Sequence, residues 1–353
     1  MMRRALAAAI ALLAALPPPA VACTTFCLQG ADGPVFGRNY DVLFGDGLVM
    51  VNRRDQEKWS TNGVGGAKWV SRYGSITFNQ YGRGSPSGGM NEKGLVVEIL
   101  DLPATTFPAP DARPTVSLLE WIQYLLDTSA SVEEAIAAAE LVRIKSGARC
   151  HFLIADASGD TASIEYLNGQ PVIHRGDWLP IRVLTNDTYV KSILHYRDAP
   201  RVRATGFYDT GNSLDRFKRA ARLVRLQEAL RGEDDVTASF RILDAVAQKH
   251  LTRWQIVYDM KRLAIHYRTD ANRELRRVDI GQFNYACAAP PVVLDIDEGR
   301  GEVATAFAVR PEANLNLMLS IYSKPPVFTR MSEAAIASEA KYVESFSCIP
   351  NPG

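Results

Sequence analysis

Three residue types near one end of the sequence could act together on a carbonyl. Cys23 follows Ala20-Val21-Ala22, a small-x-small tripeptide of the kind a signal peptidase cuts after. A cysteine left first by that cut carries two useful groups, a thiol and an α-amine. The amine titrates near about 7.7–8.0 and is partly neutral at physiological pH. It can take the proton of its own thiol, directly or through a water, so one residue supplies nucleophile and general base without a histidine. Fifteen residues beyond Cys23 comes Arg38, within Phe36-Gly37-Arg38-Asn39-Tyr40-Asp41. A guanidinium beside the sulfur favours thiolate, and the Asp41 carboxylate can hold the amine's lone pair toward the sulfur. Plainer readings compete: an inert buried thiol at a strand start, a solvated Arg38–Asp41 ion pair worth little, or a lipoprotein acylated on Cys23. The usual lipoprotein signal favours a larger aliphatic residue where this chain has Ala20.

The elements that must bring these residues together are legible around them. CTTFCLQ and PVFGRNYD flank Gly30-Ala31-Asp32-Gly33, turn residues between two β-favouring runs, which is a hairpin signal. A hairpin holds its strands about 5 Å apart, so Arg38 and Asp41 can approach Cys23. Further strands are expected at Leu48–Arg54, Trp69–Phe78 and Leu95–Leu100, then two around Ser158-Gly159, Trp254–Asp259 with Leu263–Arg268, and finally VVLDID and EVATAFAV. Helical periodicity marks Val116–Leu126, Ser131–Leu141, where Ser131 and Glu134 fit a capping box, Ser213–Leu230, Thr237–Gln248 and Ser332–Tyr342. Strands arrive in hairpin clusters between helix pairs, which favours antiparallel sheets with helices outside over a doubly wound parallel sheet.

Bulk properties set the context. Arg3 and Arg4, an apolar run Ala5–Leu16 and Pro17-Pro18-Pro19 complete a signal peptide, residues 1–22. That run is shorter than the about 20 residues a membrane span needs. Of 353 residues, 353 − 22 = 331 remain, enough for one large domain, 23–353. Forty basic residues against 39 acidic ones give +1 and no footprint for nucleic acid or a membrane surface. The five cysteines leave at least one thiol unpaired. If Cys23 is free, then Cys27, Cys150, Cys287 and Cys348 allow three pairings. Cys23 and Cys27 on one strand would lie about 13 Å apart, beyond the reach of about 7 Å for a disulfide. The histidines, His151, His174, His195, His250 and His266, show no metal-ligand spacing, so no metal or cofactor is expected. The Gly-rich Tyr81–Gly84 with Gly88-Gly89 lacks the Lys and Ser/Thr of a phosphate loop and reads as a pocket edge.

The sequence resembles the choloylglycine hydrolase and penicillin V acylase group of N-terminal-nucleophile hydrolases. The resemblance rests on Cys23-Thr24, FGRN-x-D (Phe36–Asp41), MNEKGL (Met90–Leu95), VLTN (Val183–Asn186) and S-x-x-RF-x-R (Ser213–Arg219), in family order. It implies an α+β, four-layer αββα sandwich and hydrolysis of linear amides by an N-terminal cysteine. The nucleophile falls on Cys23, its arginine and aspartate on Arg38 and Asp41, and the oxyanion asparagine on Asn186. The second active-site arginine falls on Arg216, with Arg219 the alternative. Asp101 stands where bile-salt hydrolases usually have asparagine and penicillin acylases often tyrosine. That position gives a backbone N–H to the oxyanion, and its side chain is expected to point outward, as exposed-type side chains do. The implied substrates are small-molecule amides, foremost penicillin V or N-acyl homoserine lactones, with conjugated bile salts as the alternative. The implied site is periplasmic or secreted, free of the membrane after cleavage, and homotetramers are common in the group. Asn186-Asp187-Thr188 also matches a glycosylation sequon; a glycan there would block the oxyanion donor, so the match is read as chance.

Overall fold

The computed structural model describes residues 23–198, 211–324 and 331–349; the expected signal peptide lies outside the described residues. A seven-stranded sheet runs, edge to edge, Val183–Leu184, Thr24–Gln29, Pro34–Asp41, Thr252–Asp259, Ala264–Thr269, Arg276–Asp279 and Gly301–Glu302. An eight-stranded sheet runs Gln170–Arg175, Thr161–Leu167, Cys150–Ala155, Val96–Asp101, Gly88–Asn91, Ser75–Asn79, Leu48–Asn52 and Val293–Asp295. Every neighbouring pair in both sheets is antiparallel except Arg276–Asp279 with Gly301–Glu302. The sheets face one another across a core in which Cys23, Phe36 and Tyr258 meet Phe78, Leu100 and Leu153. Ser213–Leu230 and Asp235–Val246 cover the first sheet; Leu118–Thr128 and Val132–Leu141 cover the second. The result is the expected four-layer αββα sandwich of an α+β protein.

The local causes are readable. Gly37 sits across from Phe26 in the first hairpin, and a Cβ there would lie 2.3 Å from the Phe26 ring. Only glycine lets that aromatic lie flat against the strand. Ser117 caps the Leu118–Thr128 helix in a full capping box: its hydroxyl accepts from Glu120 N at 3.4 Å, and the Glu120 carboxylate accepts from Ser117 N at 2.7 Å. That helix starts two residues later than periodicity suggests, because Thr115–Val116 pairs with Arg143–Ile144 as a short parallel ladder. Ser131 receives Glu134 N, but Glu134 turns to Ala130 N, so the second box is half made.

Other expectations are corrected. Trp69–Phe78 is two strands, Lys68–Val70 and Ser75–Asn79. The chain turns at Gly74, where a Cβ would meet the Tyr285 ring at 2.2 Å. EVATAFAV is no strand beyond Gly301–Glu302: after Val303 N bonds Arg277 O, the chain coils into a short 3₁₀ turn, Ala304–Ala306. The expected Thr237–Gln248 helix is Asp235–Val246, since Asp234 caps it by accepting from Thr237 N. The helices Tyr189–Asp198 and Ala313–Tyr322 and the strands Gln170–Arg175 and Arg276–Asp279 go beyond the elements expected from periodicity. At the C-terminal end, Ala313–Tyr322 packs against Glu333–Tyr342, and Ser347–Cys348 joins a small sheet with Gln56–Trp59 and Lys68–Val70. Cys287 and Cys348 form a disulfide, Cα atoms 5.7 Å apart, while Cys23, Cys27 and Cys150 are free. No helix among the described residues is long and apolar enough to cross a membrane.

Candidate active site

Cys23 stands just before the Thr24–Gln29 strand and is buried, 3% exposed. The register pairs Thr25 with Arg38 and Thr24 with Asn39. Strand alternation therefore puts Cys23, Thr25, Arg38 and Tyr40 on the face toward the second sheet. Asn39 and Asp41 take the helix face, where the Asn39 amide donates to Leu243 O at 2.8 Å. Asp41 accepts from Thr252 Oγ1 at 2.5 Å and from Gln248 Nε2 at 3.0 Å. Its backbone N–H reaches the Cys23 sulfur. Burial holds the Asp41 carboxyl up to about 6, against the pull of Thr252, Arg216, Gln248 and Arg38.

Arg38 is buried and crosses the sandwich. It donates to Ser87 O at 2.8 Å, lies over the Tyr40 ring at 4.7 Å and pairs with the buried Glu98. Tyr258 Oη donates to the other Glu98 oxygen at 2.5 Å. Gly88 makes room for this carboxylate: a Cβ there would fall 2.0 Å from Glu98 Oε2. Burial, and after it the Asp41 charge, raise the Cys23 thiol above its usual value; Arg38 is the largest influence pulling it down, with Asp41 N–H and Arg216 adding to that pull. So the charge that favours thiolate is divided between the sulfur and Glu98.

Asn186 follows the two-residue strand Val183–Leu184 that pairs beside Thr25 and Phe26. Its amide is clamped: Oδ1 accepts from Arg216 Nη2 at 2.7 Å, and Nδ2 donates to Asp101 O at 2.8 Å. Ser213 Oγ accepts from Asn186 N at 2.9 Å. One Nδ2 hydrogen is used, and the second is left for another acceptor. Arg216 is 1% exposed on the first turn of its helix, and Arg219, one turn on, is only half-buried. The arginine at Asn186 is thus Arg216. Leu102 N bonds Arg149 O, which fixes the ladder so that Asp101 N–H and C=O face away from the Cys150–Ala155 strand. The carbonyl meets Asn186 there. Alternation places the half-buried Asp101 side chain on the Val97 and Ile99 face, opposite Glu98 and Leu100, and burial raises its carboxyl pKa.

A pocket of about 540 Å³ opens onto Cys23 and Arg38. Its walls include Leu100, Leu118, Leu119, Tyr81 and Tyr322, so it is chiefly apolar. Tyr81 and Ser85 fulfil the pocket-edge expectation for the Gly-rich loop. A larger hollow of about 620 Å³ near Asp46 and Arg310 holds none of these groups. Among the described residues no cluster of acidic, histidine or cysteine side chains is arranged to hold a metal.

Sequence reasoning overlooked Glu98, Thr252 and Gln248. Glu98 left a signal, the one charge inside the apolar run LVVEIL. His151 is a satisfied core histidine that braces the turn carrying Asn186. Its Nε2 lies 2.6 Å from Thr185 O and its Nδ1 3.1 Å from Glu165.

The chain and its fold are similar to known proteins. A penicillin V acylase of Pectobacterium atrosepticum is 27% identical over 317 residues, spanning 75% of this chain and 83% of that one. The structure of penicillin V acylase from Agrobacterium tumefaciens superposes with a TM-score of 0.72 at 26% identity, covering 82% of this chain and 98% of the other. A mutant of conjugated bile acid hydrolase from Clostridium perfringens shares the fold, with TM-score 0.65 at 17% identity over 79% and 98% of the two chains. The model of linear amide C–N hydrolases of the choloylglycine hydrolase family matches residues 23–293. The chain therefore belongs to the choloylglycine hydrolase family, enzymes that hydrolyse carbon–nitrogen bonds in linear, non-peptide amides.

Proposed function

We propose that the protein is an exported amidase whose nucleophile is an N-terminal Cys23, freed when residues 1–22 are removed. The observation that carries this is that Cys23 and Arg38 line one pocket with Asp101, whose carbonyl accepts from the Arg216-held Asn186 amide. The Cys23 sulfur attacks the amide carbon, forming an S–C bond, while the thiol proton passes to the α-amine. Negative charge on the carbonyl oxygen is met by the second Asn186 Nδ2 hydrogen and Asp101 N–H; removing such a donor costs about 3–4 kcal/mol of barrier. The α-ammonium then protonates the leaving nitrogen as the C–N bond breaks. Water attacks the thioester, giving a carboxylic acid and restoring the thiol. Asp41, fixed by Thr252 and Gln248, orients the amine; Arg38 and Arg216 favour thiolate.

The substrates favoured are penicillin V and N-acyl homoserine lactones, with conjugated bile salts second. One observation supports that order: the two penicillin V acylases are 27% and 26% identical to this chain, against 17% for the bile acid hydrolase. The test is a panel of penicillin V, acyl-homoserine lactones of several chain lengths and glycocholate, with amine release measured. Cys23→Ala should abolish release; retained activity would place the nucleophile elsewhere. Intact mass should show a free Cys23 terminus, and a lipidated one would favour a lipoprotein instead.

A further inference from the structure

One wall of the pocket comes from beyond the matched residues 23–293. Tyr322 ends the Ala313–Tyr322 helix and Glu339 lies on Glu333–Tyr342, and both line the pocket that holds Cys23. These helices pack together through Met318, Ile336 and Ala340. They are seated on the body by several independent contacts. Trp59 meets the rings of Tyr342 and Phe346 edge-on at 6.1 and 5.3 Å. Asn314 Oδ1 accepts from Arg83 N at 2.7 Å, in the Gly-rich loop at the pocket edge. The Cys287–Cys348 disulfide closes the segment onto the body.

Two acidic residues line the pocket: Asp101, beside Asn186, and Glu339, on the C-terminal helix pair. Glu339 is half-buried, and among the described residues its carboxylate accepts no hydrogen bond and joins no ion pair. Burial and the nearby Glu120 both raise its pKa. Its oxygens still reach solvent, so the carboxylate stands open to a donor or cation entering the pocket. The cations lining the pocket lie elsewhere: Arg38 is committed to Glu98 and Ser87, and Lys145 is exposed and screened by solvent.

We infer that the C-terminal helix pair is the specificity wall of the amide pocket, with Glu339 selecting acyl groups whose far end is cationic or donates a hydrogen bond and rejecting carboxylate-tipped ones. Tyr322 bounds the length of the chain admitted. The inference rests on the Cys23 amidase reading. The reaction needs no acid or base from this wall, so its effect falls on which amide is taken.

Three amides of one amine test it: hexanoyl, 6-aminohexanoyl and adipoyl, compared in the native enzyme and in Glu339→Gln. The expected result is a rise of about tenfold in the adipoyl-to-hexanoyl ratio of kcat/KM, and a fall in the 6-aminohexanoyl-to-hexanoyl ratio. Binding is read separately in Cys23→Ala and Cys23→Ala/Glu339→Gln, by calorimetry with hexanamide, 6-aminohexanamide and adipic acid monoamide. The affinity ratios should shift in the same directions. Unchanged ratios, or no binding of any of the three, overturn the wall. Shifted binding ratios with no amine release by the native enzyme would leave the wall standing and sink the amidase reading alone.

Discussion

At the scale of single residues, the site is governed by how Arg38 is shared. A guanidinium in a buried cleft could lower the Cys23 thiol strongly, yet Glu98 claims part of its charge. Glu98→Gln should release that charge to the sulfur, moving the pH midpoint of Cys23 alkylation by iodoacetamide downward. The same change leaves Arg38 buried and unpaired, so urea unfolding should show a loss of about 3–5 kcal/mol. An unmoved alkylation midpoint would mean that Arg38 does not act on the sulfur. Asp41 sets a second expectation. Its folded carboxyl is held up to about 6, above the ordinary carboxylate range. As pH falls through about 6 it takes a proton and stops fixing the amine, so kcat/KM should drop on that limb. The stability effect has the opposite sign. The folded state binds this proton more readily than the unfolded chain, so between the ordinary carboxylate pKa and about 6 Asp41 favours folding more as pH falls. A kcat/KM profile flat through pH 6 would remove Asp41 from the chemistry.

At the scale of elements, the site is built from strand alternation and tight turns. The Cys23 hairpin is legible because its parts are adjacent in sequence, so a turn signal and a strand period suffice to bring Arg38 near. Asn186 and Arg216 come only through family resemblance: Val183–Leu184 is a two-residue strand, too short for any period to show. The Arg38–Glu98 pair spans two sheets, and only packing of the layers creates it. EVATAFAV misleads because its β-favouring residues lie past the edge of the sheet, where a 3₁₀ turn satisfies the backbone instead. The capping box that starts Leu118–Thr128 is an element with functional reach, since Ser117, Leu118 and Leu119 line the pocket. Ser117→Ala should cost about 1 kcal/mol of stability by losing the cap, and should raise KM more than it lowers kcat. Equal losses in both would mean the helix end acts beyond the pocket wall. Gly88→Ala should be far worse, because the added carbon displaces the Glu98 carboxylate.

At the scale of the whole molecule, the proposed nucleophile and the pocket wall lie far apart in the chain. Cys23 precedes the first strand, whereas Tyr322 and Glu339 belong to the last helices, and a disulfide with a sequence separation of 61 holds that end in place. Loop-closure entropy makes such a link worth about 4 kcal/mol. Cys287→Ser/Cys348→Ser should therefore melt earlier than the native protein and discriminate less between acyl groups, while iodoacetamide still reaches Cys23. An unchanged acyl preference in that variant would show that the helices hold their place without the link.

The Cys287–Cys348 bond also bears on how the protein is produced. Thiols stay reduced in a cytosolic host and are oxidised on export. Recombinant protein from the two compartments, produced with Cys23 as its first residue in each, should then differ in the order in which it ranks amides. Substrate profiles from different preparations can be compared only when the oxidation state of this pair has been measured.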